Sequence, residues 1–307
     1  MLNVAIIGSN GFIGTHLADI IFKYKDLSLF LFGKNKNNLS GVDTEYNVID
    51  SSNQELTKKQ FKSIDIVFYL ASSTIPSTSW INPKIELEQN LLPFINFMEC
   101  ISDLNVKKII FVSSAGTIYG PTESKATESS EKQPFSPYGI IKLTIEHFLN
   151  YFKLKHNISF DIYRVSNVYG EGQNTSKGLG IINTFIENII KNQQVHIYGN
   201  GNNIRNYIHV KDVVNLISYS IKSDFSKSNI FNIGSNDTLS INELIAILQT
   251  IVDEKFEVIY SPNRKSDNPI IDIDNSKILN SVPNYKFIPI EIGIQKLYSN
   301  IKNHIKK

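Results

Sequence analysis

An apolar run, Val4 to Ile7, ends in Gly8-Ser9-Asn10-Gly11-Phe12-Ile13-Gly14, and helical spacing of apolar residues follows over 13–24. A strand that enters a helix through such a turn uses glycine for three separate purposes. One glycine makes the tight reversal, one lets the backbone come close to a charged group, and one lets helix and strand touch. The helix start then offers N–H groups without intrahelical partners and the positive end of the helix dipole, which together favour an anion. A glycine pattern alone says little. Placed between a short buried strand and an amphipathic helix, it predicts a parallel α/β sheet that holds a dinucleotide pyrophosphate at its first turn.

The rest of the first half agrees. Short apolar runs recur at 28–32, 46–49, 64–70, 108–112 and 159–165, with helical patterns over 85–104 and 137–155. Strands that alternate with helices imply right-handed crossovers and a parallel sheet, and continuous apolar runs imply that both faces are covered. The fold class expected is therefore α/β, a Rossmann doubly wound parallel sheet with a smaller C-terminal substrate-binding lobe. We place the dinucleotide-binding domain at 1–168 with a later return near 205–235, and the smaller lobe at 169–204 and 236–307. In that lobe 171–180 reads as a loop, 179–191 as a helix, 195–198 as a strand and 212–221 as a helix. A lobe that covers the carboxyl ends of the strands would enclose the edge where such sheets bind ligands.

Composition removes several function classes. The 307 residues carry a formal net charge of only +2, so there is no electrostatic footprint for nucleic acid. The basic end, Lys302 to Lys307, reads as a solvated helix end. The single cysteine, Cys100, lies in an apolar helical pattern and reads as packing. No ligand-spaced cluster of Cys, His or carboxylates suggests a metal. The N-terminal apolar run is too short for a leader or a membrane span, so a cytoplasmic protein is expected.

Ser136-Pro137-Tyr138-Gly139-Ile140-Ile141-Lys142 places Tyr138 and Lys142 one helical turn apart, on one face. A phenol is a poor base near neutral pH. An adjacent ammonium stabilises the phenolate, and such a tyrosine can take a proton from an alcohol while hydride leaves the same carbon. The second strand ends Phe32-Gly33-Lys34-Asn35-Lys36 with no carboxylate to hold a ribose 2′-hydroxyl, and its two lysines lean toward NADP. Asp50 follows the third run and suits an adenine amine, and Leu70-Ala71-Ser72 would bring backbone past the cofactor.

Together with Phe111-Val112-Ser113-Ser114-Ala115-Gly116-Thr117-Ile118-Tyr119-Gly120, these segments resemble the extended short-chain dehydrogenase/reductases over nearly the whole chain, and most closely the NAD-dependent epimerase/dehydratase family. The family's G-x-x-G-x-x-G matches Gly8, Gly11 and Gly14, and its Y-x-x-x-K matches Tyr138 and Lys142. Its strand-end Asn matches Asn167, its R-D-Y-I-H-V segment matches Arg205 to Val210, and its R-x-x-D matches Arg264 and Asp267. The resemblance implies NAD as cofactor and Tyr138 with Lys142 as the catalytic pair. It implies cofactor contacts from Gly8, Gly11, Phe12, Ile13, Gly14, Lys34, Asp50, Ser51, Leu70, Ala71, Ser72, Asn90 and Ser113, besides the pair itself. It implies substrate contacts from Asn167, Arg205, Arg264 and Asp267, and a homodimer through a four-helix bundle.

Three residues depart from the family pattern. The family's catalytic Ser or Thr falls on Ala115, which leaves Ser114 and Thr117 as the candidate hydroxyls; the second strand lacks its acidic end; and Asn206 stands where Asp is common. Gly116 and Thr117 replace the Asp-Glu pair of dehydratases, and no cysteine lies near the serine run as in epimerase/reductases. What the resemblance implies is then a nucleotide-sugar 4-epimerase of the UDP-hexose or UDP-N-acetylhexosamine type, in polysaccharide or O-antigen precursor synthesis. The alternatives are an NADPH-dependent 4-keto-sugar reductase and, on the strength of Ala115, a non-catalytic dinucleotide-binding protein.

Overall fold

The protein is described from a computed structural model, which covers residues 1–34, 46–121, 124–176, 178, 180–263 and 268–305. By internal contacts the chain divides into two compact units. The first comprises Met1–Ser114, Pro134–Arg164 and Val214–Phe231; the second comprises Ala115–Gln133, Val165–Val213 and Asn232–Lys307. Val214–Phe231 thus groups with the first unit and Ala115–Gln133 with the second.

The first unit is built on β1 (Leu2–Ile7), β2 (Leu27–Gly33), β3 (Tyr46–Val48), β4 (Ile66–Tyr69), β5 (Lys108–Ser114), β6 (Ser159–Val165) and the strand Asn229–Ile233. From one edge the order is β3-β2-β1-β4-β5-β6 and then Asn229–Ile233. β1 pairs in parallel with both β2 and β4, and β4 pairs in parallel with β5. The chain order reverses between β1 and β4, which is the switch point where doubly wound sheets bind ligands. The Rossmann architecture read from the alternation is present. Ala5, Phe32, Val67, Phe94, Phe97, Phe111, Ile145 and Ile162 make one buried cluster beneath the helices.

One helix differs from expectation. The pattern over 85–104 is a short helix Lys84–Glu86, a π-helical turn Leu87–Leu91 and a helix Leu92–Ile101. Pro93 sits in the first turn of that last helix. It has no N–H to donate to the preceding turn, so the regular ladder cannot pass through it and the backbone widens. A helix Pro76–Ile81, not foreseen from sequence, precedes this region.

The second unit has its own sheet. Ile204–His209 pairs antiparallel with Thr238–Ser240, and parallel with both Ile270–Ile271 and Asn167–Tyr169. Val195–Tyr198 pairs in parallel with Val258–Ser261. Helices Ile181–Ile190, Ile241–Ile251 and Ile290–Ile305 supply its core, with Ile186, Leu244 and Ile294 fully buried. Of the strands, Val195–Tyr198 is the one read from sequence; pieces as short as Ile270–Ile271 and Thr238–Ser240 carry no period to read. No helix among the described residues is long and apolar enough to cross a membrane.

Candidate active site

The glycine turn follows β1 at the switch point. Gly8 has φ 87° and its amide bonds to the Phe32 carbonyl on β2 at 2.9 Å. A Cβ on Gly8 would lie 2.9 Å from the Ala71 amide nitrogen, and one on Gly14 would lie 2.2 Å from the Gly8 carbonyl oxygen. The turn therefore closes only with glycine at both places. Gly11 is the N-cap of the helix Phe12–Ile21, and no side chain caps it. The first amides of that helix, those of Phe12, Ile13 and Gly14, have no acceptor within the helix. A backbone cradle that a side chain would fill, opening on uncapped amides, fits a dinucleotide pyrophosphate.

Around the cradle, the Asn10 amide donates to the Tyr46 hydroxyl at 2.7 Å, and Ser9 is buried with its hydroxyl on the Phe32 carbonyl. Lys34 Nζ donates to Ser73 Oγ at 2.7 Å; Lys36 lies outside the described residues. Asp50 is exposed, and the hydroxyl and amide of Ser52 on its carboxylate hold its pKa below the usual range. Ser51 beside it is half-buried, as are Leu70 and Ala71 after β4, while Ser72 is exposed. Asn90 has a different task from direct exposure to ligand. It is 8% exposed, accepts from the Ser73 amide at 2.9 Å, and donates to Thr74 and Glu86. It ties the loop after β4 to the π-helical turn.

Tyr138 and Lys142 stand at the start of the helix Pro137–His156. Ser136 caps that helix through the Gly139 amide at 3.1 Å, and Pro137 takes the first helical position, where its missing N–H costs nothing. The helix stops at Asn157, which takes the left-handed conformation at φ 58°. The Tyr138 amide reaches the buried Ser79 hydroxyl at 3.3 Å. Lys142 Nζ donates to the Val112 carbonyl near the end of β5 at 3.0 Å and lies 5.5 Å from the centre of the Tyr138 ring. Burial pushes the Tyr138 phenol up to about 12; the Ser72 hydroxyl pulls against the rise and the Glu86 carboxylate adds to it. Burial pushes the Lys142 ammonium down to about 8, opposed by Glu86 and Glu146. The helix alone therefore does not give a phenolate near neutral pH. A further positive charge, such as an oxidised nicotinamide, is what would lower the tyrosine.

The serine run divides by direction. Ser113 is buried and donates to Glu146 Oε1 at 2.7 Å, and Glu146 is clamped by Arg164, with Nη2 to Oε2 at 2.6 Å. Ser113 thus serves a buried network beneath the helix. Ser114 is half-buried at the last position of β5, in the same unit as Tyr138 and Lys142. Ala115, the family's hydroxyl position, is buried against Tyr119, Ala126 and Ile273, so an apolar side chain is what that environment accepts. Thr117 belongs to the second unit, and its hydroxyl is buried with no hydrogen-bond partner among the described residues. Glu146 was missed from sequence although its spacing was visible: Tyr138, Lys142 and Glu146 follow at steps of four. Glu86 carried no such signal.

In the second unit Asn167 donates to the Asn206 carbonyl at 3.0 Å, and Asn206 itself is buried, bonding Ser166, Ser235 and Thr238. An amide does there what an acid could not, since it donates as well as accepts. Arg205 is half-buried and donates to the Ile204 and Pro269 carbonyls. Arg264 and Asp267 lie outside the described residues. His209 is 2% exposed, edge-on to Tyr169, with Nε2 3.4 Å from Glu171. Its surroundings are those of a packed residue.

A cradle for a dinucleotide at the switch point, beside a Tyr–Lys pair at the end of β5, defines a short-chain dehydrogenase/reductase site. The model of the NAD dependent epimerase/dehydratase family matches residues 4–234, and the chain belongs to that family. It is an NAD-dependent enzyme class that acts on nucleotide sugars, as expected from the motifs. A Methanocaldococcus jannaschii protein, provisionally assigned as a UDP-glucose 4-epimerase, is 31% identical over 98% of this chain and 99% of its own length. An Escherichia coli dTDP-4-dehydro-6-deoxyglucose reductase is 26% identical over 97% of each chain. The crystal structure of the Thermotoga maritima UDP-glucose 4-epimerase with UDP-glucose superposes with a TM-score of 0.92 at 25% identity, covering 99% of this chain and 100% of that one.

Proposed function

We propose that this protein is a nucleotide-sugar 4-epimerase, acting on a UDP-hexose or UDP-N-acetylhexosamine, that retains NAD through its cycle. The observation that carries the reading is the Tyr138–Lys142 pair, held at the end of β5 in the same unit as the glycine cradle. The relative at 31% identity supports the epimerase over the reductase, although the reductase from Escherichia coli keeps that second reading in play. Lys34 argues less for NADP than its sequence position suggested, because its ammonium already has Ser73 as partner.

In this reading Gly8, Gly11 and Gly14 with the amides of Phe12 and Ile13 hold the pyrophosphate. Lys34, Asp50, Ser51, Leu70, Ala71 and Ser72 line the remainder of the cofactor site. Bound NAD supplies the hydride acceptor and donor at the sugar's C4. Tyr138 accepts the proton of the C4 hydroxyl and later returns it; Lys142 orients and stabilises the phenolate. Ser114, at the end of the same strand, bonds the substrate oxygen, and Thr117 is the second candidate for that task. Arg205 and Arg264 take the diphosphate, with Asn167 and Asp267 beside the sugar.

We also read the protein as a cytoplasmic homodimer. Leu87 and Leu92 stand 46% and 52% exposed on one helical segment, and Ile140 and Leu154 stand 48% and 80% exposed on the helix Pro137–His156. Of the apolar residues marked from sequence, Phe94, Met98 and Ile101 are instead taken by the core. The test uses the protein as purified, with no added dinucleotide. UDP-glucose or UDP-N-acetylglucosamine should be converted to its C4 epimer, and light scattering should give twice the 34.8 kDa chain mass. Product formed only from a 4-keto sugar with added NADPH would replace the epimerase by the reductase, and a monomer mass would remove the dimer.

A further inference from the structure

A buried carboxylate with no assigned task sits against the catalytic helix. Glu86 closes the short helix Lys84–Glu86 and is 1% exposed. Its Oε2 accepts from Asn90 Nδ2 at 2.8 Å, while its Oε1 is buried with no hydrogen-bond partner among the described residues. An unsatisfied buried carboxylate oxygen is costly, and it persists where a nearby positive charge rewards it. No cation pairs with Glu86 at ion-pair distance among the described residues; Lys84, two residues away, pairs with exposed Glu88 instead. The Lys84–Glu86 helix and the Leu87–Leu91 turn both pack on the helix Pro137–His156.

The other groups around the Tyr138–Lys142 pair leave Glu86 with a distinct role. Helix Pro76–Ile81 brings Ser79 and no charged side chain. The end of β5 brings Ser113 and the Val112 carbonyl. Glu146, one turn beyond Lys142, already receives Ser113 and the guanidinium of Arg164. Its charge is met by a cation of its own, and that of Glu86 is not.

We propose that Glu86 is a positioning residue for the Tyr138–Lys142 pair, its buried charge holding Lys142 as an ammonium beside the tyrosine. This rests on Tyr138 and Lys142 being the proton-transfer pair. Asn90 fixes the carboxylate in place and connects it to the loop after β4 through Thr74 and Ser73. The direction of the effect follows from the charge. A carboxylate near a lysine favours its charged form, and near a tyrosine it makes the phenolate harder to form but more basic once formed. Both groups are accordingly drawn upward by Glu86, against the burial that would leave the lysine neutral.

Glu86→Gln removes the charge and keeps the shape and the acceptor for Asn90. A lysine-selective isotope-labelled NMR titration reads Lys142 directly, its resonance identified by its loss in Lys142→Arg. The Lys142 midpoint should fall by about one pH unit in Glu86→Gln. In Glu86→Asp, where the charge is withdrawn by one methylene, it should fall by less. Both limbs of the pH–rate profile should move to lower pH in the same order. A midpoint that stays at the wild-type value in whichever of these variants folds overturns the proposal, because a purely structural glutamate would leave it unmoved. Absence of turnover on UDP-sugars would count against the epimerase reading instead, since the lysine titration needs no substrate.

Discussion

The glycine cradle and the Arg205 strand make an instructive pair. In the cradle, geometry is set by backbone: a Cβ on Gly8 would press on the Ala71 backbone and one on Gly14 on the Gly8 carbonyl, and no side chain caps the helix that follows. On the paired strands Asn167–Tyr169 and Ile204–His209, the residues marked for substrate are side chains already engaged within their own unit. Asn167 reaches the Asn206 carbonyl, and Arg205 reaches carbonyls of Ile204 and Pro269. A backbone site carries its own geometry wherever the motif occurs. A side-chain site depends on which neighbours compete for each donor.

That contrast can be broken most sharply at the catalytic pair. Tyr138→Phe removes one hydroxyl and no backbone, so turnover should fall by roughly 10²–10⁴-fold with dinucleotide affinity unchanged. Activity within a few-fold of wild type would show that Tyr138 is not the base. A fall in cofactor affinity of the same size would show that the pair and the cradle are not separable.

Next in size is the buried clamp beneath the pair. Arg164→Met strands Glu146 in the core, where side-chain exposures of Arg164 and Glu146 are 2% and 4%. Breaking such a pair from one side costs about 3–5 kcal/mol. Chemical denaturation should show that loss, and Glu146→Gln combined with Arg164→Met should recover much of it. A single-variant loss below about 1 kcal/mol would mean that the site relaxes or admits water.

The smallest effect tests the second unit. Arg205→Ala should weaken nucleotide-sugar binding by about tenfold, the value of one charge-assisted contact, and leave NAD binding alone. Calorimetry with the diphosphate nucleotide in place of the sugar nucleotide should show the same loss, because the contact is to phosphate. Unchanged affinity for both would leave Arg205 as a side chain that closes its own strand end, as its two carbonyl partners allow.

Much of this molecule was legible because local rules and global fold agree. The cradle, the alternating strands and the Tyr138–Lys142 spacing each follow from backbone sterics or helical period, which one stretch of chain carries by itself. Even Glu146 was within reach, one further turn along the same helix face. One miss was local: Pro93 interrupts a helix that apolar periodicity reads as continuous, because periodicity registers faces and not the missing N–H. Two other features were decided by residues distant in sequence. Ala115, an anomaly in the motif, becomes ordinary against Tyr119, Ala126 and Ile273. Glu86 is buried on a short helix that packs against the helix of Tyr138 and Lys142, far along the chain. Spacing reports which way a side chain leaves its own helix or strand. Burial, unmet hydrogen bonds and the field of a charge depend on what else has been brought into contact, and that is set when the chain has folded.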